Sequence, residues 1–203
     1  MARPRITDER RRQILEAAAA VIAERGVCDA RIADIARRIG ASPALILYYF
    51  PGKDSLLAEA LAYRDQQFFD GVAAEVTETD SPTRRLQSLI EASCPPDEPL
   101  LPDSEWLLWL DVWTRSRHNE DLARTRISMD RLFRSAIEAI VSDGIEVGEF
   151  RHDAPADFAI QLSALIDGLA IQVLLADPSV DSATMRRLCL DFAGSHLGLS
   201  LTV

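Results

Sequence analysis

Much that would point to chemistry or to a membrane is missing from these 203 residues. Cysteine occurs three times, at Cys28, Cys94 and Cys189, an odd number with wide spacing and no CxxC pair. That excludes a disulfide framework and a zinc site, and leaves reduced residues of core or surface. The histidines His118, His152 and His196 are scattered, with no HExxH or comparable spacing, so no metal is expected. No apolar run reaches the roughly 18–20 residues that span a bilayer. The longest, around Leu162 to Ala176, is broken by Ser163, Asp167 and Gln172. Neither GxGxxG nor a P-loop is present, and Gly194-Ser195-His196 is not a nucleophile elbow, so neither an enzyme nor a cofactor is expected. Met1-Ala2-Arg3-Pro4-Arg5 leads into charged residues and not into the apolar stretch of a secretory signal. A cytoplasmic protein with no membrane attachment is expected.

With 48% hydrophobic residues and mean hydropathy near zero, the chain has enough apolar side chains for a sizeable core. Overall positive charge is also lacking: the net charge is −10. It is unevenly spread. Residues 1–57 carry ten basic and seven acidic side chains, net +3, and residues 58–203 carry twelve and twenty-five, net −13. A basic head on an acidic body suits a protein whose head meets phosphate. Chance variation in solvated charge gives the same split, so the asymmetry supports a motif without replacing one.

Almost every segment has helical period, and almost none alternates as a strand does. The first helix is predicted to start at Thr7 as N-cap, with Asp8 and Glu9 in its first turn. Its apolar stripe is Ile14, Leu15, Ala18, Val21 and Ile22, and Gly26 is placed to cap its end. A short second helix, about 31–39, carries Ile32, Ile35, Ala36 and Ile39 and stops at Gly40. Ser42 caps a third, with Pro43 at the first helical position. Pro51-Gly52 ends it, and a fourth runs from Lys53 to about Thr77. Loops follow at Asp80-Ser81-Pro82 and at Cys94 to Pro99, with a fifth helix between them reaching about Ser93. Further helices are predicted near 103–117, 119–147, 154–176 and 181–197.

The three-residue turn Gly40-Ala41-Ser42 between two short helices has the length and composition of a helix-turn-helix. Such a turn sets the second helix to enter the roughly 12 Å major groove while the first crosses the backbone. Ile35, Ile39, Ile46 and Phe50 lie on faces that can form the core between them. Residues 26–57 closely resemble the DNA-binding segment of the TetR family of bacterial transcriptional regulators. The resemblance is carried by Asp34-Ile35-Ala36, Gly40-Ala41-Ser42, Tyr48-Tyr49-Phe50-Pro51 and Lys53-Asp54-Ser55-Leu56-Leu57. More distantly, Gly144-Ile145-Glu146-Val147-Gly148-Glu149-Phe150 and Ile166-Asp167-Gly168-Leu169-Ala170 resemble the C-terminal domain of its BetI-like branch.

The resemblance implies an all-α fold of about nine helices. Residues 1–52 form a three-helix helix-turn-helix DNA-binding domain, and residues 53–203 a helical-bundle domain for effector binding and dimerisation. It implies a regulator, a repressor released from a palindromic operator by a small-molecule effector. Lys53, the only lysine, and Arg31 each stand at a helix N-terminus, where a cation opposes the dipole by a few tenths of a kcal/mol. Together with free backbone N–H groups they would instead clamp phosphate, the use family members make of the matching lysine. Ser42, Pro43, Ala44 and Leu45 occupy the turn that meets base edges, and Tyr48 and Tyr49 lie further along the same helix, Tyr49 being the better candidate for core. Leu45 stands where the family often has a hydroxyl, Leu47 where it often has tyrosine, and Ala33 where a polar residue is frequent. The helix is therefore poor in hydrogen-bonding side chains, which favours thymine-methyl contacts and DNA shape. Arg3 and Arg5 are expected to form an arm ahead of the first helix.

All three tryptophans fall in Trp106-Leu107-Leu108-Trp109-Leu110-Asp111-Val112-Trp113. At 100° per residue, Trp106, Trp109 and Trp113 share an arc of about 60° on a helix apolar nearly all round. They are candidates for an amphipathic or cationic ligand cavity, with Phe68, Met129 and Phe133 as further walls; core packing is the simpler alternative. The last two helices carry small residues at Ser163, Gly168, Ala170, Ala193 and Gly194 and suit a four-helix homodimer interface. The competing reading is a helical ligand-binding or interaction protein that does not bind DNA.

Overall fold

Helical period is realised as helix throughout the computed structural model, which describes residues 3–75, 81–95 and 105–199. Among the described residues there are nine helices and no strand: α1 (Arg3–Asp29), α2 (Ile32–Arg38), α3 (Pro43–Tyr49), α4 (Lys53–Glu75), α5 (Pro82–Ala92), α6 (Glu105–Ser116), α7 (Glu120–Glu146), α8 (Pro155–Leu174) and α9 (Ser182–Leu197). Of the expected loops, Ser81 caps α5 and Pro82 opens it, while Asp80 and residues 96–99 lie outside the described residues. Two compact units emerge from the packing, one within residues 1–68 and 101–129, the other within 69–100 and 130–203.

In the first unit, α1 departs from expectation at its start. Helical backbone runs from Arg3, so Thr7 is inside the helix and not at its cap. Pro4 does not prevent this, because the first turn of a helix needs no backbone donor. Arg3 and Arg5, expected as an arm, therefore belong to α1, and their side chains lie outside those described. At the other end Gly26 has φ 75° and interrupts the helix before a last turn to Asp29. The predicted stripe is the buried one: Ile14, Leu15, Ala18, Val21 and Ile22 join Ile35, Ala36, Ile46, Phe50, Leu56, Leu57 and Leu61 in one core. Val112 of α6 and Met129 of α7 complete it, and α1 also packs along α6.

The second unit is built on α8 and α9, with α5 against α9. Phe158 and Phe192 stack with centroids 5.7 Å apart, and Asp181 caps α9 through the Thr184 amide at 2.7 Å. Hydrogen bonds from Thr184 hold the Asp181 carboxyl below the usual range. Gly148, at φ 79°, ends α7. There the Glu149 N–H donates to the Gly144 carbonyl at 2.8 Å, and the Glu149 carboxylate accepts from the Thr83 amide and hydroxyl at 3.1 and 2.7 Å. An Arg85–Asp143 pair at 2.8 Å fastens α5 to α7 a second time. Cys94 and Cys189 are buried thiols, and burial, aided by nearby Cys94, pushes the Cys189 thiol up to about 12. By length and composition α8 is apolar enough to cross a membrane. It nevertheless carries Asp157 and Asp167, and Phe158, Leu162, Ile166 and Ala170 are buried within this unit.

A Cβ added at Gly144 would lie 2.2–2.6 Å from ring atoms of Phe150, itself buried. Alanine gains about 1 kcal/mol of helix propensity over glycine, but overpacking against a ring that cannot withdraw costs about 1–3 kcal/mol. Gly144→Ala is expected to lower the urea midpoint of unfolding. A raised midpoint would show that the ring yields freely.

Candidate nucleic-acid interface

The turn between α2 and α3 is fixed by its backbone. Gly40 adopts φ +63°, with open space where a Cβ would sit, so glycine is required for its conformation and not for room. The Ala41 N–H reaches back to the Ala36 carbonyl at 2.8 Å and the Gly40 N–H to that of Arg37 at 3.2 Å. These two bonds satisfy the last acceptors of α2 in a Schellman arrangement. One residue on, the Ser42 hydroxyl accepts from the Leu45 amide at 3.2 Å, and Pro43 takes the first helical position, as the sequence predicts.

Because the turn is fixed, α3 has one face in and one face out. Ile46 and Phe50 are fully buried against Ile35 and Ala36. Pro43, Ala44, Leu47 and Tyr48 are exposed, Tyr48 at 81% and Leu47 at 47%. Leu45 is half-buried. Tyr49 is half-buried too, packed on the core, with its ring edge-on to Tyr48 at 5.3 Å. The exposed face is thus apolar except for one phenol. Arg31 is exposed just ahead of α2, in extended backbone with no side-chain cap, while its carbonyl accepts from the Asp34 amide at 2.9 Å. Lys53 opens α4 and is half-buried.

Charged contacts brace these helices. Asp34, whose side chain is only 10% exposed, accepts from Arg25 of α1 at 3.2 Å and Arg37 of α2 at 2.9 Å. Tyr63 of α4 donates to Glu16 of α1 at 2.8 Å; burial raises its hydroxyl pKa, and the bond to Glu16 adds to that. Arg11 pairs with Glu59 and donates to the Tyr49 carbonyl at 3.2 Å. Neither the Arg25–Asp34–Arg37 cluster nor the Arg11 contacts are marked by a motif in the sequence. Arg11 lies 38 residues from Tyr49, and no local pattern marks such a pair.

The six residues considered for an effector cavity are divided. Trp109 packs on the first-unit core, which includes Met129; its ring is 6.2 Å from that of Trp113, tilted by 38°. Phe68 is half-buried in the same unit. Phe133 belongs to the second unit, 6.4 Å from Phe69, and the side chain of Trp106 lies outside those described. A shallow groove of about 380 Å³ is lined instead by Gln13, Glu16, Ala17, Arg38 and Ile39. Of the small residues on the last two helices, Ser163, Ala170, Ala193 and Gly194 are buried within the chain, and Gly168 is exposed. The exposed large apolar residues of α8 and its C-cap are Ile160 at 51% and Leu175 at 71%.

Residues 14–60 match the family described as "Bacterial regulatory proteins, tetR family", and residues 82–198 match that described as "BetI-type transcriptional repressor, C-terminal". The HTH-type transcriptional regulator BetI of Cronobacter sakazakii is 33% identical over 195 residues, 93% of this chain and 91% of that protein. A transcriptional regulator from Saccharomonospora viridis, solved in complex with choline, is 36% identical with a TM-score of 0.80, covering 94% of this chain and 98% of that one. A TetR transcription regulator from Haloarcula marismortui superposes with a TM-score of 0.80 at 26% identity, covering 94% and 99%.

Ser42→Ala is expected to cost about 1 kcal/mol of stability and Ser42→Gly only a few tenths. The two are compared by urea unfolding, and equal losses would show that the hydroxyl does not cap α3.

Proposed function

Because the chain belongs to the TetR family of transcriptional regulators, in its BetI-type branch, we propose that it represses transcription as a homodimer on a palindromic operator and leaves the DNA when a small cationic effector binds. The observation that carries this reading is the fixed turn at Gly40–Ser42, which leaves one face of α3 exposed, with Arg31 at the start of α2 and Lys53 at the start of α4. Residues 1–52 form the DNA-binding part and residues 53–203 the effector-binding and dimerisation part. In this reading the backbone and side chain of Lys53 hold phosphate, Arg31 a second phosphate, and Tyr48 reaches a phosphate or sugar. Ser42 positions the helix, Pro43, Ala44 and Leu45 approach base edges, and Tyr49 supports Tyr48 from behind. An apolar face offers thymine-methyl contact and shape complementarity in place of bidentate hydrogen bonds.

One short helix makes few base contacts, so two copies on two half-sites supply affinity and specificity. The exposed parts of α8 around Ile160, Gly168 and Leu175, with α9 beside them, are the surface proposed for the second copy. Occupying a promoter blocks polymerase, which makes repression the simplest outcome, in the cytoplasm where the DNA is.

Two observations support a cationic effector. The Saccharomonospora viridis regulator, 36% identical, holds choline, and the rings of Trp109 and Trp113 of this chain are neighbours, 6.2 Å apart. Aromatic faces bind quaternary ammonium through the ring quadrupole, worth about 0.5–2 kcal/mol each. Release requires that the effector bind the DNA-free shape more tightly than the bound one.

Fluorescence anisotropy with duplex taken from the DNA flanking the protein's own gene tests the operator reading. Saturable binding weakened by salt is expected, and Lys53→Ala is expected to reduce the salt slope by about one. Absence of binding at low salt, with and without choline, would overturn it. Choline is expected to raise the melting temperature and to dissociate the operator complex, and Trp109→Ala to abolish both effects. If choline stabilises the protein yet leaves operator affinity unchanged, the coupling is wrong.

A further inference from the structure

We propose that Arg11 is a positioning residue for operator binding, a side chain that fixes how the C-terminal end of α3 is seated against α1 and α4. The proposal rests on the reading of α3 as the DNA-facing helix. A single guanidinium makes three kinds of contact there. Its Nη1 donates to the Tyr49 carbonyl at 3.2 Å, its Nη2 pairs with the Glu59 carboxylate of α4, and its Cζ lies 4.5 Å from the centroid of the Phe50 ring. Tyr49 is the last residue of α3 and Phe50 its C-cap.

The sequence explains why that end needs an outside donor. Carbonyls in the final turn of a helix have no intrahelical partner, and Pro51, two residues on, brings no N–H to the junction. At the other end of α3 the Ser42 cap and the Gly40 turn fix the helix to α2. Arg11 fixes the C-terminal end to α1, where it is already anchored by its own helix. Only a planar fork both stacks on a ring and donates in two directions from one plane; an ammonium does neither as well. Phe50 is buried and Tyr48 exposed, so Arg11 acts from the side of α3 away from the exposed face. Through Tyr49, whose ring meets that of Tyr48 edge-on, its grip reaches the most exposed aromatic of that face.

The test compares wild type, Arg11→Lys and Arg11→Met as full-length protein, by operator anisotropy across a salt series and by 19F NMR of 3-fluorotyrosine protein. Three tyrosines give three resonances, Tyr48, Tyr49 and Tyr63. Arg11→Lys keeps the charge, the stem and a partner for Glu59, so it is the variant that stays folded if Arg11→Met does not. The expected result is affinity lower by about tenfold at every salt concentration, with an unchanged salt slope and no rescue by lysine. The Tyr48 and Tyr49 resonances of the DNA-free protein should shift, and that of Tyr63 should not. A salt slope smaller by about one would make Arg11 a phosphate contact instead and overturn the proposal. Unchanged affinity, or unmoved Tyr48 and Tyr49 resonances, would also overturn it. If Tyr48→Ala and Lys53→Ala both leave operator affinity intact, the failure belongs to the choice of α3 as the reading helix, and the tyrosine resonances still decide whether Arg11 seats it.

Discussion

The positive φ of Gly40 is the constraint on which the exposed surface of the first unit depends. With it, the amides of Gly40 and Ala41 fold back onto the last carbonyls of α2, and the chain leaves at the angle that drops Ile46 and Phe50 onto Ile35 and Ala36. A Cβ at that φ is strained whatever the space around it. Burial of two large side chains is worth several kcal/mol on area alone, and it is recovered only if the turn comes first. The same event turns Ala44, Leu47 and Tyr48 outward, because a seven-residue helix with two anchors has no other choice of face.

The surface that results has an unusual balance of forces. Around it sit many arginines, but several are committed to partners within the protein: Arg25 and Arg37 to Asp34, Arg38 to Glu24, and Arg11 to Glu59. Exposed ion pairs of this kind add little stability each. Their consequence is geometric, since they tie α1 to α2 and to α4 across the outside of the unit. Asp34 stands apart because its side chain is nearly covered and serves two arginines at once.

In the second unit, glycines and small residues serve packing inside the chain. Gly144 admits the Phe150 ring, and Ser163, Ala170, Ala193 and Gly194 are buried on α8 and α9, which pack on each other. Glu149, part of a stretch that resembles the BetI-like branch, has a direct physical role: its carboxylate takes two hydrogen bonds from Thr83 and so joins the end of α7 to the start of α5. The exposed apolar residues that remain on and beside α8 are few, but they lie on a helix that the unit leaves half-covered.

Local chemistry was legible in the residue order. Helix existence, the stripe on α1, the Gly40 turn, the Ser42 cap and the inward set Ile35, Ile46 and Phe50 follow from spacing, propensity and turn geometry, which act over a few residues. So did the kinship of residues 26–57, because the turn and its flanking side chains are contiguous. The start of α1 was not legible, since Thr7 with Asp8 and Glu9 behind it makes a good local N-terminus, while a proline at Pro4 in a first turn costs nothing. Four of the five small residues on the last helices face inward, and composition does not record direction. What only tertiary structure decided is which distant side chains meet: Arg11 with Tyr49 and Glu59, Arg25 with Asp34, Glu149 with Thr83. Those contacts exist because helices cross in space at points that no period along the chain encodes.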